Sequence, residues 1–166
     1  MIFNTYQDFK KQRGEHVKNL RHYHKINLTN GCFDILTLNH IYFLKEFFHN
    51  GGIHIILLDN NKSIKKIKGE HRPINDFQFR AEMIEELFSH SAMYIVGTDT
   101  DQIDSIIQEL KPEFYFKGGD YTEQELKNLE NIKKFGRILL TKKTNYPTTT
   151  DIENLILLKH GKFKKN

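Results

Sequence analysis

A single cysteine, Cys32, stands among the 166 residues. No disulfide can close within the chain, and a reducing compartment suits it. Long apolar runs are missing as well. Nothing approaches the roughly 20 apolar residues that a membrane-spanning helix needs, and the opening MIFNTYQDFKKQRGEH lacks the apolar core of a secretory signal. The expectation is a cytoplasmic protein with no membrane partner. Neither sign of charge is in large excess: 25 Lys and Arg face 21 Asp and Glu, for a formal net charge of +4. That suffices to attract phosphates but falls short of the clustered charge of a nucleic-acid binder, so no nucleic-acid partner is expected. Repeats, low-complexity linkers and composition breaks are absent, which leaves one domain at this length. His22 and His24 have no further ligand at a metal-site spacing, so no residue is assigned to a metal.

What is present is a regular alternation. The 13 Phe and 7 Tyr bring large apolar areas to a core. Strand signals lie at Lys25 to Leu28, Ile53 to Leu58, Ala92 to Val96, Glu113 to Phe116 and Arg137 to Leu140. The run IHIILL at Ile53 to Leu58 is apolar on both faces, as in a strand covered on both sides. Helix signals lie at Tyr6 to Leu20, Asn39 to Asn50, Phe77 to Phe88, Gln102 to Leu110, Glu123 to Phe135 and Asp151 to His160. Ile41, Phe43, Leu44, Phe47 and Phe48 recur at helical spacing, and Gly51-Gly52 stops that helix. The Lys-rich segment from Asp59 to His71 reads as a loop. This order predicts an α/β fold: one Rossmann-like, doubly wound domain with a five-stranded parallel sheet flanked by helices. Residues 1–24 are expected as a helical extension packed on the domain, 25–158 as the domain, and 159–166 as a basic, solvated tail.

Ligands in such sheets sit at the carboxyl ends of the strands, and four polar segments fall there. The first runs from Thr29 to His40, from strand through turn to helix. Gly31 allows close backbone approach, and the free amides of the following helix make an anion site. His40, in the first helical turn, can donate to a phosphate oxygen. The second spans Lys66 to Asn75 and continues to Arg80. The third is Lys117-Gly118-Gly119-Asp120-Tyr121, directly after a strand. The fourth is Pro147 to Ile152, where Thr148, Thr149 and Thr150 enter the last helix.

Gly31-Cys32-Phe33-Asp34 followed by Thr37-Leu38-Asn39-His40 resembles the signature of the cytidylyltransferase-like nucleotidyltransferases, a His-x-Gly-His after a Gly-x-Phe-Asp turn. With the other three segments in order, the chain from about Lys25 to Leu158 is similar to the heptose 1-phosphate adenylyltransferases of lipopolysaccharide precursor synthesis. Thr37 replaces the first His and Asn39 the Gly. Asp59-Asn60-Asn61 replaces an Asn-Ser-Asp, and Tyr146 a Gly before the threonines. Asn39 is expected to take the left-handed backbone that glycine would allow.

The resemblance implies transfer of AMP from ATP to a sugar 1-phosphate with release of pyrophosphate. It implies Mg²⁺ carried in on the triphosphate, and a homodimer. His40, Thr37, Lys68 and Arg80 would be catalytic, with Arg80 binding phosphate or anchoring the loop that does. Asn30, Gly31, Cys32, Phe33, Asn39, His40, Lys117, Gly118, Thr148, Thr149 and Thr150 would bind the nucleotide. Asp34, Arg72, Gly119 and Asp120 would meet the acceptor. Two alternatives stay open: a cytidylyltransferase for a polyol or other sugar phosphate, and a nucleotide-binding relative that has lost transfer.

Overall fold

The computed structural model describes residues 1–89, 91–119, 121, 124 and 133–160. In chain order these form strand β1 (Ile2–Phe3), helix α1 (Tyr6–Leu20), β2 (Ile26–Gly31), α2 (Leu38–His49), β3 (Ile53–Asp59), α3 (Asn61–Lys68), α4 (Phe77–Leu87), β4 (Met93–Thr98), α5 (Ile103–Leu110), β5 (Phe114–Lys117), β6 (Arg137–Leu140) and α6 (Thr149–His160). All six strands run parallel, in the order β1-β4-β3-β2-β5-β6. The fold is the expected Rossmann-like, doubly wound α/β class with one strand more than the sequence predicts. The added strand, β1, has two residues, too few to show any period. Its pairing with β4 (Ile2↔Ile95, Phe3↔Val96) defines it.

Strand β3 explains why its sequence is apolar throughout. Ile53, Ile55 and Leu57 face one core, with Phe3, Phe9 and Val17 from the α1 side and Ile103, Ile106 and Ile107 from α5. Ile56 and Leu58 face the other, with Leu44 and Phe47 of α2 and Ala81 and Ile84 of α4. The period-two alternation of a strand thus divides one apolar run between two layers. Each fully buried Ile or Leu contributes about 1.5–3 kcal/mol.

Two local expectations are corrected. The segment read as a Lys-rich loop contains α3, capped by the Asn60 side chain accepting from Ser63 N–H at 2.9 Å. Its apolar signal is only Ile64 and Ile67, and Ile64 alone of the two is buried, so a polar helix passes for a loop. Asn39 is not left-handed: it is the second residue of α2, and the only non-glycine residues with positive φ among those described are Phe33 and Lys111. A helix interior requires right-handed dihedrals of any residue. The helix expected over Glu123 to Phe135 lies for the most part outside the described residues. No helix among those described is long and apolar enough to cross a membrane.

Strand order reverses at β2, which has β3 on one side and β5 on the other. The crevice at the carboxyl ends of β2 and β5 is therefore where a ligand is expected.

Candidate active site

A cavity of about 470 Å³ opens there, and all four polar segments reach it. The volume is that of a typical small-molecule site. Of the residues singled out in the sequence, Asn30, Gly31, Cys32, Phe33, Asp34, Thr37, Asn39, His40, Lys68, Arg72, Lys117, Gly118, Gly119, Thr148, Thr149 and Thr150 line it. Arg80 does not, and Asp120 lies outside the described residues.

The turn after β2 is shaped by its own side chains. Phe33 takes a left-handed φ of 45°, which folds its ring back over Gly31. A Cβ on Gly31 would meet that ring at 2.9 Å, so this glycine makes room for Phe33 as well as for a ligand. Asp34 is buried, and its carboxylate accepts from the amides of Ile74 and Asn75, each at 2.8 Å. Arg72 lies against it, Nε to Oδ2 at 3.3 Å, and also holds Glu153 of α6. Asp34 and Arg72, expected to meet the acceptor, are thus committed to joining β2, the 72–75 loop and α6.

Arg80 is an anchor. Only 1% exposed, it donates from Nε to Asn75 O at 3.0 Å and from one terminal nitrogen to Cys32 O at 2.6 Å. The other serves Asp59 O and Asn61 Oδ1, each at 2.9 Å. A planar fork with five N–H groups is the one side chain that can serve so many diverging acceptors. Of the two roles open to it, contact with phosphate and support of the surrounding loops, the geometry matches the second.

Thr37 caps α2, and His40 stands at the third helical position. The Thr37 amide donates to His40 Nδ1 at 3.1 Å, with the Thr37 hydroxyl also 3.1 Å away. An amide cannot accept, so Nδ1 is the acceptor and the neutral ring carries its proton on Nε2. The imidazole is thereby a donor at the positive end of a helix, suited to an oxygen that gains negative charge.

Lysines dominate the charge of the cavity. Lys68, Lys117, Lys142 and Lys143 line it, a focused positive field for a polyanion. Lys117 is buried, with Nζ 2.5 Å from Asn30 Oδ1, and desolvation pushes its pKa down to about 8. Burial raises the Asp59 carboxyl, against the opposing pull of Lys117, Arg80 and Lys68. Cys32 is half-buried, and burial likewise raises its thiol.

At the start of α6, Thr148 Oγ1 accepts from Asp151 N–H at 3.2 Å, and Thr148 N–H donates to Asp151 Oδ2 at 2.8 Å. Thr149 Oγ1 donates to Ile35 O at 3.0 Å. These hydroxyls fix the helix start beside the β2 turn. Sequence reasoning missed Lys142, Lys143 and Thr144. The signal was there: a basic pair in the polar stretch between β6 and the threonines.

A cation-lined crevice at the switch point of a parallel sheet, between two helix starts, suits a polyanionic ligand. The comparisons agree and go further. The model of the family described as cytidylyltransferase-like matches residues 28–155. The bifunctional protein HldE of Geobacter metallireducens is 33% identical over 138 residues, covering 82% of this chain and 28% of that one. The HldE of Helicobacter hepaticus is 36% identical over 131 residues, 79% of this chain and 26% of that one. The chain thus spans about a quarter of the length of these relatives. Among solved structures, the lipopolysaccharide core biosynthesis protein from Thermoplasma volcanium GSS1 superposes with a TM-score of 0.60 at 26% identity, covering 74% of this chain and 99% of that one. A pantoate-beta-alanine ligase from Francisella tularensis, at 16% identity and a TM-score of 0.63 over 100% of this chain and 82% of that one, shares the fold. The chain belongs to the cytidylyltransferase-like family.

Proposed function

We propose that this chain is a nucleotidyltransferase that moves AMP from ATP to a sugar 1-phosphate of the heptose 1-phosphate kind, releasing pyrophosphate. The observation that carries the reading is His40. It is fixed as an Nε2–H donor by the Thr37 amide and lines a cavity that four lysines also line. The HldE relatives and the segment from Lys117 to Tyr121 support the acceptor class, and likeness alone favours adenine.

A phosphate oxygen of the sugar 1-phosphate attacks the α-phosphorus, and a new P–O bond forms. The bond from the α-phosphorus to the bridging oxygen breaks, and pyrophosphate leaves with that electron pair. A phosphate monoester is already anionic, so no protein base has to remove a proton. Catalysis rests on positioning and on stabilising charge on the phosphoryl oxygens, the work of the His40 donor, the lysines and the helix-start amides. No group of three or more His, Cys, Asp or Glu fit to hold a metal occurs among the described residues. Mg²⁺ entering on the triphosphate would not require such a group, since it would bring phosphate oxygens and water with it. A homodimer belongs to the same reading, and sedimentation of the purified chain tests it.

The deciding experiment measures pyrophosphate release with Mg²⁺, offering ATP or CTP against heptose 1-phosphate, hexose 1-phosphates and glycerol 3-phosphate. Release with ATP that requires the heptose phosphate, and that falls roughly 100- to 1,000-fold in His40→Ala with triphosphate binding kept, supports the proposal. Turnover with CTP and glycerol 3-phosphate replaces it with the polyol-phosphate reading. Triphosphate binding without turnover on any acceptor leaves a binding protein.

A further inference from the structure

Three side chains on one face of α2 hold the loop that leads from β6 into α6. Asn39, Tyr42 and Glu46 are three and four residues apart and so project from the same side of the helix. The Glu46 carboxylate accepts from Lys142 N–H, at 3.1 Å to the nearer oxygen. The Tyr42 ring stacks on Tyr146 with centroids 5.7 Å apart and planes 17° from parallel. Asn39 Nδ2 donates to Tyr146 O at 2.8 Å and to Pro147 O at 3.3 Å, and its Oδ1 accepts from the Thr144 hydroxyl. The amide of Asn39 is therefore engaged at both ends by this one loop.

A glycine at position 39 can make none of these bonds, and a glycine at position 146 has no ring to stack. The two departures from the family pattern thus hold the same loop through two contacts, Asn39 to its backbone and Tyr146 to Tyr42. Building on the transferase reading above, we propose that Asn39 and Tyr146 form a latch that holds the 144–147 segment against α2 before substrate arrives. Asn39 is then a positioning residue for the wall of the cavity next to His40. Ordering a loop during binding costs affinity; a wall already latched avoids that cost. The latch acts on binding, not on the chemical step, because the partner that orients His40 is the Thr37 amide, which lies outside it.

The test compares wild type with Asn39→Ala, which keeps a good helix former at that position, and with the double variant Asn39→Gly, Tyr146→Gly. Hydrogen exchange followed by mass spectrometry should show residues 141–148 exchanging roughly tenfold faster in Asn39→Ala, the effect of losing one to two net hydrogen bonds. Peptides from β2 and β3 should be unchanged. The KM for the sugar phosphate or the Kd for ATP should rise several-fold with kcat nearly constant. The double variant should loosen the segment further, since it also removes the Tyr42–Tyr146 stack that Asn39→Ala keeps. Unchanged exchange at 141–148 overturns the proposal. Faster exchange with KM and Kd unmoved, or with a loss confined to kcat, overturns the positioning role. If wild type transfers nothing to any acceptor, the transferase reading has failed, and the exchange comparison still decides the latch.

Discussion

Replacing Arg80 with methionine should destabilise the protein by about 3–5 kcal/mol, the cost seen when one member of a buried polar network is removed. Methionine fills much of the same volume but donates nothing. The change leaves Asn75 O, Cys32 O, Asp59 O and Asn61 Oδ1 without the donors that reach them at 2.6–3.0 Å. At about 1 kcal/mol for each net hydrogen bond lost, four acceptors give about 4 kcal/mol, within that range. In a domain of this size each kcal/mol moves the melting temperature by about 2–4 °C, so a fall on the order of 10 °C is expected. Urea unfolding with circular dichroism measures the free energy, and calorimetry the temperature. Arg80→Lys should recover only part of the loss, because one ammonium cannot serve acceptors spread around a planar fork. An Arg80→Met protein within about 0.5 kcal/mol of wild type, the range of a surface change, but with turnover gone would refute the reasoning. It would place Arg80 on the substrate.

The remaining predictions concern the cavity. Lys117 carries its charge below a pKa of about 8, so the affinity of the free protein for a triphosphate should decline as pH rises through that value; titration calorimetry across the range should lose this limb in Lys117→Met. Its pKa lies below the ordinary 10.5, so between those values the folded chain binds fewer protons than the unfolded one. The Lys117 contribution to stability should accordingly increase with pH there, as denaturation at pH 8 and pH 10 would show. In Gly119→Ala the new Cβ would stand 2.2 Å from Thr141 O and 2.6 Å from Lys143 N; the two loops must part, with a loss of about 1–3 kcal/mol and weaker triphosphate binding, read by thermal denaturation and calorimetry. Burial raises the Cys32 thiol, so alkylation of the native protein at pH 8 should be slower than that of a free thiol, and a bound triphosphate should slow it further.

Much of this architecture could be read from the chain, for reasons that differ by element. Strand β3 was legible because both of its faces are apolar, and α2 because its aromatic residues repeat at helical spacing. Strand β1 was not, since two residues carry no period and its pairing with β4 comes from more than 90 positions away. Helix α3 hid because only one of its two isoleucines is buried and much of its docking is polar, through Ser63 and Asn61. In the site, motif order brought 16 of the singled-out residues to one cavity, because each motif follows a strand or opens a helix at the same edge of the sheet. What each residue does there was less legible. Asp34 and Arg72 carry the charges of a ligand site, but three-dimensional pairing commits them to each other. Asn39 reads as a substitute for glycine, while its amide finds partners more than 100 positions along the chain.

The strand order also bears on how the site comes into being. Pairing of β2 with β3 joins residues 27 apart (Ile26↔Ile53), whereas pairing of β2 with β5 joins residues 87 apart (Asn27↔Phe114). Contacts between distant residues carry a larger loop-closure entropy and form slowly. The β2–β5 junction is the one that opens the crevice, so a partly folded chain built on β2, β3 and β4 has the first turn but no opposite wall. A triphosphate then meets only the β2-turn and α2 side of its cavity until β2 pairs with β5. It should slow unfolding while leaving the folding rate untouched, which makes substrate a guardian of the finished protein and no help in reaching it.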